Sequence, residues 1–64
     1  MKLNLKKVKI AMASKCLSAR GLANKAQIPY STLTPYLSGA REPKTDTLGK
    51  IAKALDVDVE TLID

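Results

Sequence analysis

The chain has 64 residues and a net charge of +5, from eleven Lys or Arg against six Asp or Glu, with one Cys and no His. That length suits one domain, residues 1–64, which buries only about 60% of the surface that its unfolded chain exposes. A lone Cys excludes an internal disulfide or a cysteine metal site, and the lack of His removes the commonest metal ligand and the usual general base near neutral pH. Apolar runs are too short for a membrane span, and no h-region of a signal peptide follows the N-terminal lysines. The expectation is a cytoplasmic protein with a free thiol, no cofactor and an anionic partner. Lys2, Lys6, Lys7, Lys9 and Lys15 fall in a first stretch without acids, while five of the six acids lie from Asp46 onward. This division predicts a basic end and an acidic end.

Residues 1–16 carry two patterns. Leu5, Val8 and Met12, with Ala11 beside them, form a helical stripe. Leu3/Leu5 and Val8/Ile10/Met12 also alternate as a strand would. The helix reading is preferred, because Lys, Met and Ala are good helix formers, no turn residue interrupts them and no strand partner is evident nearby. On that reading Leu3 and Ile10 face outward, either as ordinary single exposed apolar residues or as a partner contact.

The stretch from Leu17 to Gly39 organises the rest. Ser18 is a plausible N-cap for a helix running to about Ala26, with Leu22, Ala23 and Ala26 facing inward. Gln27-Ile28 forms a tight turn with Ile28 as a buried plug. Pro29 is read as the first residue of the next helix, where its missing N–H is harmless and its fixed φ is suitable. Leu33, Tyr36 and Leu37 make the apolar stripe of that helix, leaving Tyr30, Ser31, Thr34, Pro35 and Ser38 outside. Pro35 predicts a kink or an irregular first turn, since a proline in a helix interior removes a hydrogen bond and clashes one turn back. Gly39 is a good residue to end the helix.

Ala40–Lys44 reads as a loop. A helix from about Thr45 to Leu55 follows, with Asp46 in its first turn and Leu48, Ile51, Ala52 and Leu55 in the core. Asp58 looks like the N-cap of a final short helix to Ile63, with Val59 and Leu62 inward. The expected fold is therefore all-α, a compact bundle of five short helices. A basic chain without a catalytic constellation, built on two short helices and a tight turn, is most simply a DNA-binding module; the acids are dispersed and lack a nucleophile–base set.

The text Leu17-Ser18, Leu22-Ala23-Asn24-Lys25-Ala26, Ile28 through Leu33, Leu37 through Pro43 and Leu48 through Leu55 resembles the lambda-repressor-like helix-turn-helix family, the Cro/cI or XRE-type bacterial and phage regulators. The resemblance implies a helix-turn-helix at about residues 18–38 whose second helix, the third of the domain, enters the major groove of double-stranded DNA. It implies base contacts from Tyr30, Ser31, Thr34 and Pro35, and phosphate contacts from Ser18, Ala19, Ser38, Arg41 and Lys44. It also implies a nucleoid-associated regulator, a small repressor or Cro-like protein, able to pair as a homodimer on a two-fold operator. No membrane, small-molecule ligand, metal or enzymatic activity is expected.

Departures from the family pattern are informative. Ala19 stands where many members carry a phosphate-touching Gln. Cys16 and Asp56 stand where glycines are frequent. Met12 and Leu37 replace an Arg and a Glu that often pair in the interior, so the two apolar side chains are expected to touch. The reading face lacks Arg, Gln and Asn, so direct readout is expected to be modest and weighted towards thymine, with shape and phosphate contacts supplying the rest. Arg41 is the foremost phosphate candidate. Lys6, Lys7 and Lys9 suit a solvated face or a DNA-backbone contact equally, Lys50 and Lys53 are read as solvated, Tyr36 as core and Cys16 as a small packing residue. If dimers form, Val57, Val59, Leu62 and Ile63 are expected to supply the contact. The rival function is a protein-interaction module of the same fold, pairing with another regulator or a toxin, which the weak reading face, Pro35, Leu3 and Ile10 favour.

Overall fold

A computed structural model describes residues 2–64; Met1, part of the ambiguous opening segment, lies outside the described residues. The elements are α1 (Leu5–Ser14), α2 (Ala19–Ala26), α3 (Tyr30–Ser38), α4 (Thr45–Ala54) and a single 3-10 turn, Val59–Thr61. The helix reading of the first segment holds from Leu5, where Asn4 caps α1 by accepting the Lys7 N–H on its side-chain oxygen at 3.1 Å.

The core is one cluster to which each helix contributes. Leu22, Leu33, Ile51, Leu55 and Leu62 are fully buried and Val8 nearly so. Full burial of such a side chain contributes about 1.5–3 kcal/mol. α2 packs on both α3 and α4, and its buried face is Leu22 with the small residues Ala23 and Ala26. Ile28 is buried as the plug of the turn. Among the described residues no polar or charged side chain is buried. The described residues therefore hold no interior ion pair at Met12 and Leu37. Met12 and Leu37 instead pack, half-buried, against the apolar cluster and border one shared depression.

All four helices end in the same way. A residue with left-handed φ follows the last turn: Cys16 (57°), Gln27 (58°), Gly39 (83°) and Asp56 (57°). The next amide then donates back five residues, from Leu17 to Met12, Ile28 to Ala23, Ala40 to Pro35 and Val57 to Ala52, at 2.9–3.1 Å. This motif satisfies carbonyls that a helix end leaves orphaned, and it favours an apolar residue just after the turn. Leu17, Ile28 and Val57 fill that role. Cys16 is exposed on the outside of its turn, which corrects its reading as a packing residue.

Four other expectations change. Pro29 is the cap of α3 and not its first residue; its ψ of 139° is extended, while its carbonyl accepts the Thr32 and Leu33 N–H groups at 2.9 and 3.0 Å. The last element is a 3-10 turn held by i→i−3 bonds, Thr61 to Asp58 at 3.0 Å and Leu62 to Val59 at 2.9 Å. It stops early because residues 62–64 pair with the N-terminus. The Asn4 N–H donates to the Leu62 carbonyl at 2.7 Å, the Asp64 N–H to Lys2 at 3.1 Å, and Leu3 and Ile63 form an isolated antiparallel bridge. Leu3 is consequently buried, not outward, whereas Ile10 is 58% exposed as expected. Leu62, fully buried, is removed from the set of residues that could contact a second copy.

The same pairing overturns the basic-end, acidic-end picture. Lys7 Nζ donates to the Ile63 carbonyl at 3.2 Å, Asn4 Nδ2 to Asp64 at 2.8 Å, and Lys15 Nζ lies 3.5 Å from the Asp56 carboxylate. The basic first helix and the acidic tail are neighbours, because closing the ends brings opposite ends of the sequence together.

Candidate nucleic-acid interface

α3 begins beside the start of α2, where Arg20 lies over the Tyr30 ring. Ser18 caps α2, its Oγ accepting the Gly21 N–H at 3.1 Å. Its hydroxyl hydrogen and the Ala19 and Arg20 amides remain available to an anion, and the helix dipole favours negative charge there. Ala19, half-buried, contributes backbone only to such a contact.

Along α3, Tyr30, Ser31 and Ser38 are exposed, Thr34 and Pro35 half-buried, and Leu33 buried. Tyr36 and Leu37 pack partly buried against the core, as their stripe predicted. Pro35 lies within a helix assigned without interruption from Tyr30 to Ser38. It supplies no N–H to the Ser31 carbonyl, and Thr34 Oγ1 stands 3.5 Å from that oxygen. At the limit of hydrogen-bonding distance this is a weak substitute. Ser38 Oγ donates to the Pro35 carbonyl at 3.1 Å, so Ser38 must turn that hydroxyl away before it can donate to a phosphate.

The loop after α3 is held by the same carbonyl, which also accepts the Ala40 and Arg41 N–H groups at 3.0 and 3.3 Å. The exposed Arg41 side chain emerges next to Gly39, whose added Cβ would meet Leu5 Cδ1 at 3.2 Å. At Gly39, positive φ and the close approach of Leu5 together favour the absence of a side chain. Lys44, exposed, is the cap residue of α4 and makes no side-chain cap bond.

Geometry separates the lysines that sequence left equivalent. Lys6 and Lys9 border a depression of 540 Å³ together with Ala19 and Leu37, beside the start of α2. Lys7 is directed to the C-terminal segment. Lys50 and Lys53, read as solvated, share a depression of 410 Å³ with Lys25 and Gln27 at the other end of α2. The reading of the sequence missed Arg20. Its guanidinium carbon lies 4.2 Å from the centre of the Tyr30 ring, joining α2 to the first residue of α3. The only available signal was an unpaired Arg just inside the α2 cap, ten positions before an aromatic residue.

Two short helices meeting through a left-handed turn, with the polar side of the second turned to solvent, are the architecture of a helix-turn-helix DNA-binding regulator. The sequence model of the family described as Helix-turn-helix matches residues 8–62, and the chain belongs to that family, the lambda-repressor-like group of Cro/cI or XRE type. Comparison with curated proteins and with solved structures finds no match. No helix of the described residues is long and apolar enough to cross a membrane.

Proposed function

We propose that the whole chain, residues 1–64, is one sequence-specific DNA-binding domain acting in the cytoplasm on the nucleoid, as a small repressor or Cro-like regulator of phage or mobile-element type. It occupies an operator with α3 in the major groove. Tyr30, Ser31, Thr34 and Pro35 meet base edges; Ser18, Ala19, Ser38, Arg41 and Lys44 meet phosphates, joined by Lys6 and Lys9. The observation that carries the reading is the exposed Tyr30 and Ser31 at the start of α3, set beside the capped start of α2, with exposed Arg41 and Lys44 following the helix. Hydroxyls bond to several bases and apolar groups favour the thymine methyl, so base readout is modest and thymine-weighted.

Affinity then depends on two copies on a two-fold site. The body measures 24 × 23 × 18 Å. Half-sites one helical turn apart are separated by about 34 Å, so two such bodies fit side by side on one face of the duplex.

Selection from a random DNA pool at low and near-physiological salt, with Arg41→Ala as control, tests this reading. Enrichment of a two-fold site, weakened by salt and by the substitution, supports it. Loss of one phosphate contact lowers the salt slope by about 0.9. An invariant guanine at the centre of each half-site would contradict the weak-readout account. A second reading, a protein-pairing module, rests on Ile10, which is 58% exposed beside a depression of 440 Å³ lined by Ala11, Leu55 and Val57. Association through that surface would be insensitive to salt, unlike phosphate binding.

A further inference from the structure

Arg20 and Tyr30 are both exposed, on different helices, and yet they are stacked. Among the described residues the one ion pair joins Lys15 and Asp56, so no carboxylate holds the Arg20 guanidinium. No hydrogen bond within the described residues uses its N–H groups either, and its contact with the protein is the Tyr30 ring beneath its guanidinium carbon. A guanidinium has five N–H donors at its edges, and stacking on an aromatic face leaves those edges free. Tyr30 opens α3, where Pro29 offers no side-chain cap. With one ring face covered by Arg20, the ring keeps its other face and its hydroxyl edge for a base.

We infer that Arg20 has a double role in DNA recognition: it positions the Tyr30 ring for reading, and its exposed N–H edge binds a backbone phosphate oxygen. The inference rests on the DNA-binding reading above and deepens it. It explains how α2 anchors to phosphate although Ala19 brings no polar side chain. It also explains how a reading face without Arg, Gln or Asn can hold one base preference: the side chain that reads is fixed by a neighbour and is not free to rotate. Phosphate contact and base readout become coupled, because the phosphate that grips Arg20 also sets the plane on which Tyr30 rests.

The test uses the full chain and the site recovered by selection. Binding is measured across a salt series and against every single-base variant of one half-site, for the wild type, Arg20→Ala, Arg20→Lys, Tyr30→Ala and the Arg20→Ala/Tyr30→Ala double variant. Ala and Lys both favour helix, so α2 is retained, which urea unfolding checks. Arg20→Ala is expected to weaken binding about tenfold, lower the salt slope by about 0.9 and flatten the preference at the base nearest the start of α3. Arg20→Lys keeps the charge but not the flat face, so the slope stays and the preference flattens. In the double variant the preference is no flatter than with Tyr30→Ala alone, as coupled residues require. Arg20→Ala with slope and preference both intact would overturn the inference. So would Arg20→Lys with a wild-type preference, or losses of preference at the two sites that simply add. A wild-type chain that binds no DNA at any salt removes the reading beneath the inference, and the inference with it.

Discussion

Replacing Pro35 by Ala should make the protein more stable, an uncommon result for a single substitution. Pro35 is the sixth residue of α3, beyond the first turn where a missing N–H is harmless. In a helix interior Pro is about 3 kcal/mol less favourable than Ala. Two effects oppose the gain. Ala frees the unfolded chain, which returns about 0.4–1 kcal/mol. The ring is half-buried, and losing two partly buried methylenes forfeits about 0.8 kcal/mol. The net gain is about 1–2 kcal/mol. With a urea slope of about 1 kcal/mol per molar for a domain this small, the midpoint rises by about 1–2 M at unchanged slope. An unchanged or lowered midpoint would refute the reasoning, because it would mean that α3 is relaxed around the ring and that the Ser31 carbonyl loses nothing for want of its usual donor.

Gly49 lies in mid-α4, and a Cβ there meets nothing within 4 Å, so Gly49→Ala should add about 0.5–1 kcal/mol in urea unfolding. A loss would reveal a clash that the open space around it does not contain. Leu62→Ala should cost about 2–5 kcal/mol, against a total of about 3–10 kcal/mol for a chain of this length, and should do so equally at low and high protein concentration. A loss that appears only at high concentration would return Leu62 to a dimer surface. Cys16→Gly relieves a left-handed residue in an exposed turn. The relief of about 1–2 kcal/mol exceeds the added unfolded-state freedom, for a net gain of about 0.5–1 kcal/mol in thermal unfolding. A lowered melting temperature would mean that the thiol packs in a way its exposure denies.

The segment from Leu17 to Gly39 was legible because its signals are local. Ser18 caps, Gln27-Ile28 turns, Gly39 stops, and the Leu22/Ala23/Ala26 and Leu33/Tyr36/Leu37 stripes repeat at helical spacing. Leu3 was not legible, because its partner, Ile63, is almost the full chain away and no periodicity within the first segment reports it. The alternation that argued for a strand survives as a single bridge. The same non-local closure defeated the charge argument, since segregation along a chain is not segregation in space. The bias of Cys16 and Asp56 towards glycine positions did foretell left-handed turns, as their φ values confirm. The Arg20–Tyr30 stack spans a turn between two helices, where neither helical spacing nor composition specifies which side chains meet.

The bridge between Leu3 and Ile63 orders events during synthesis. α2 and α3 are contiguous in the chain but share their core with α4, so they are fully packed only once residues up to Leu55 have left the ribosome. The segment before α1 has no backbone partner until Leu62, Ile63 and Asp64 emerge, so Lys2 and Leu3, early in the chain, are among the last residues to be secured. Until then Leu3 remains accessible to chaperones and proteases. A pulse of protease during translation would therefore cut the N-terminal stretch of any nascent chain from which residues 62–64 have not yet emerged.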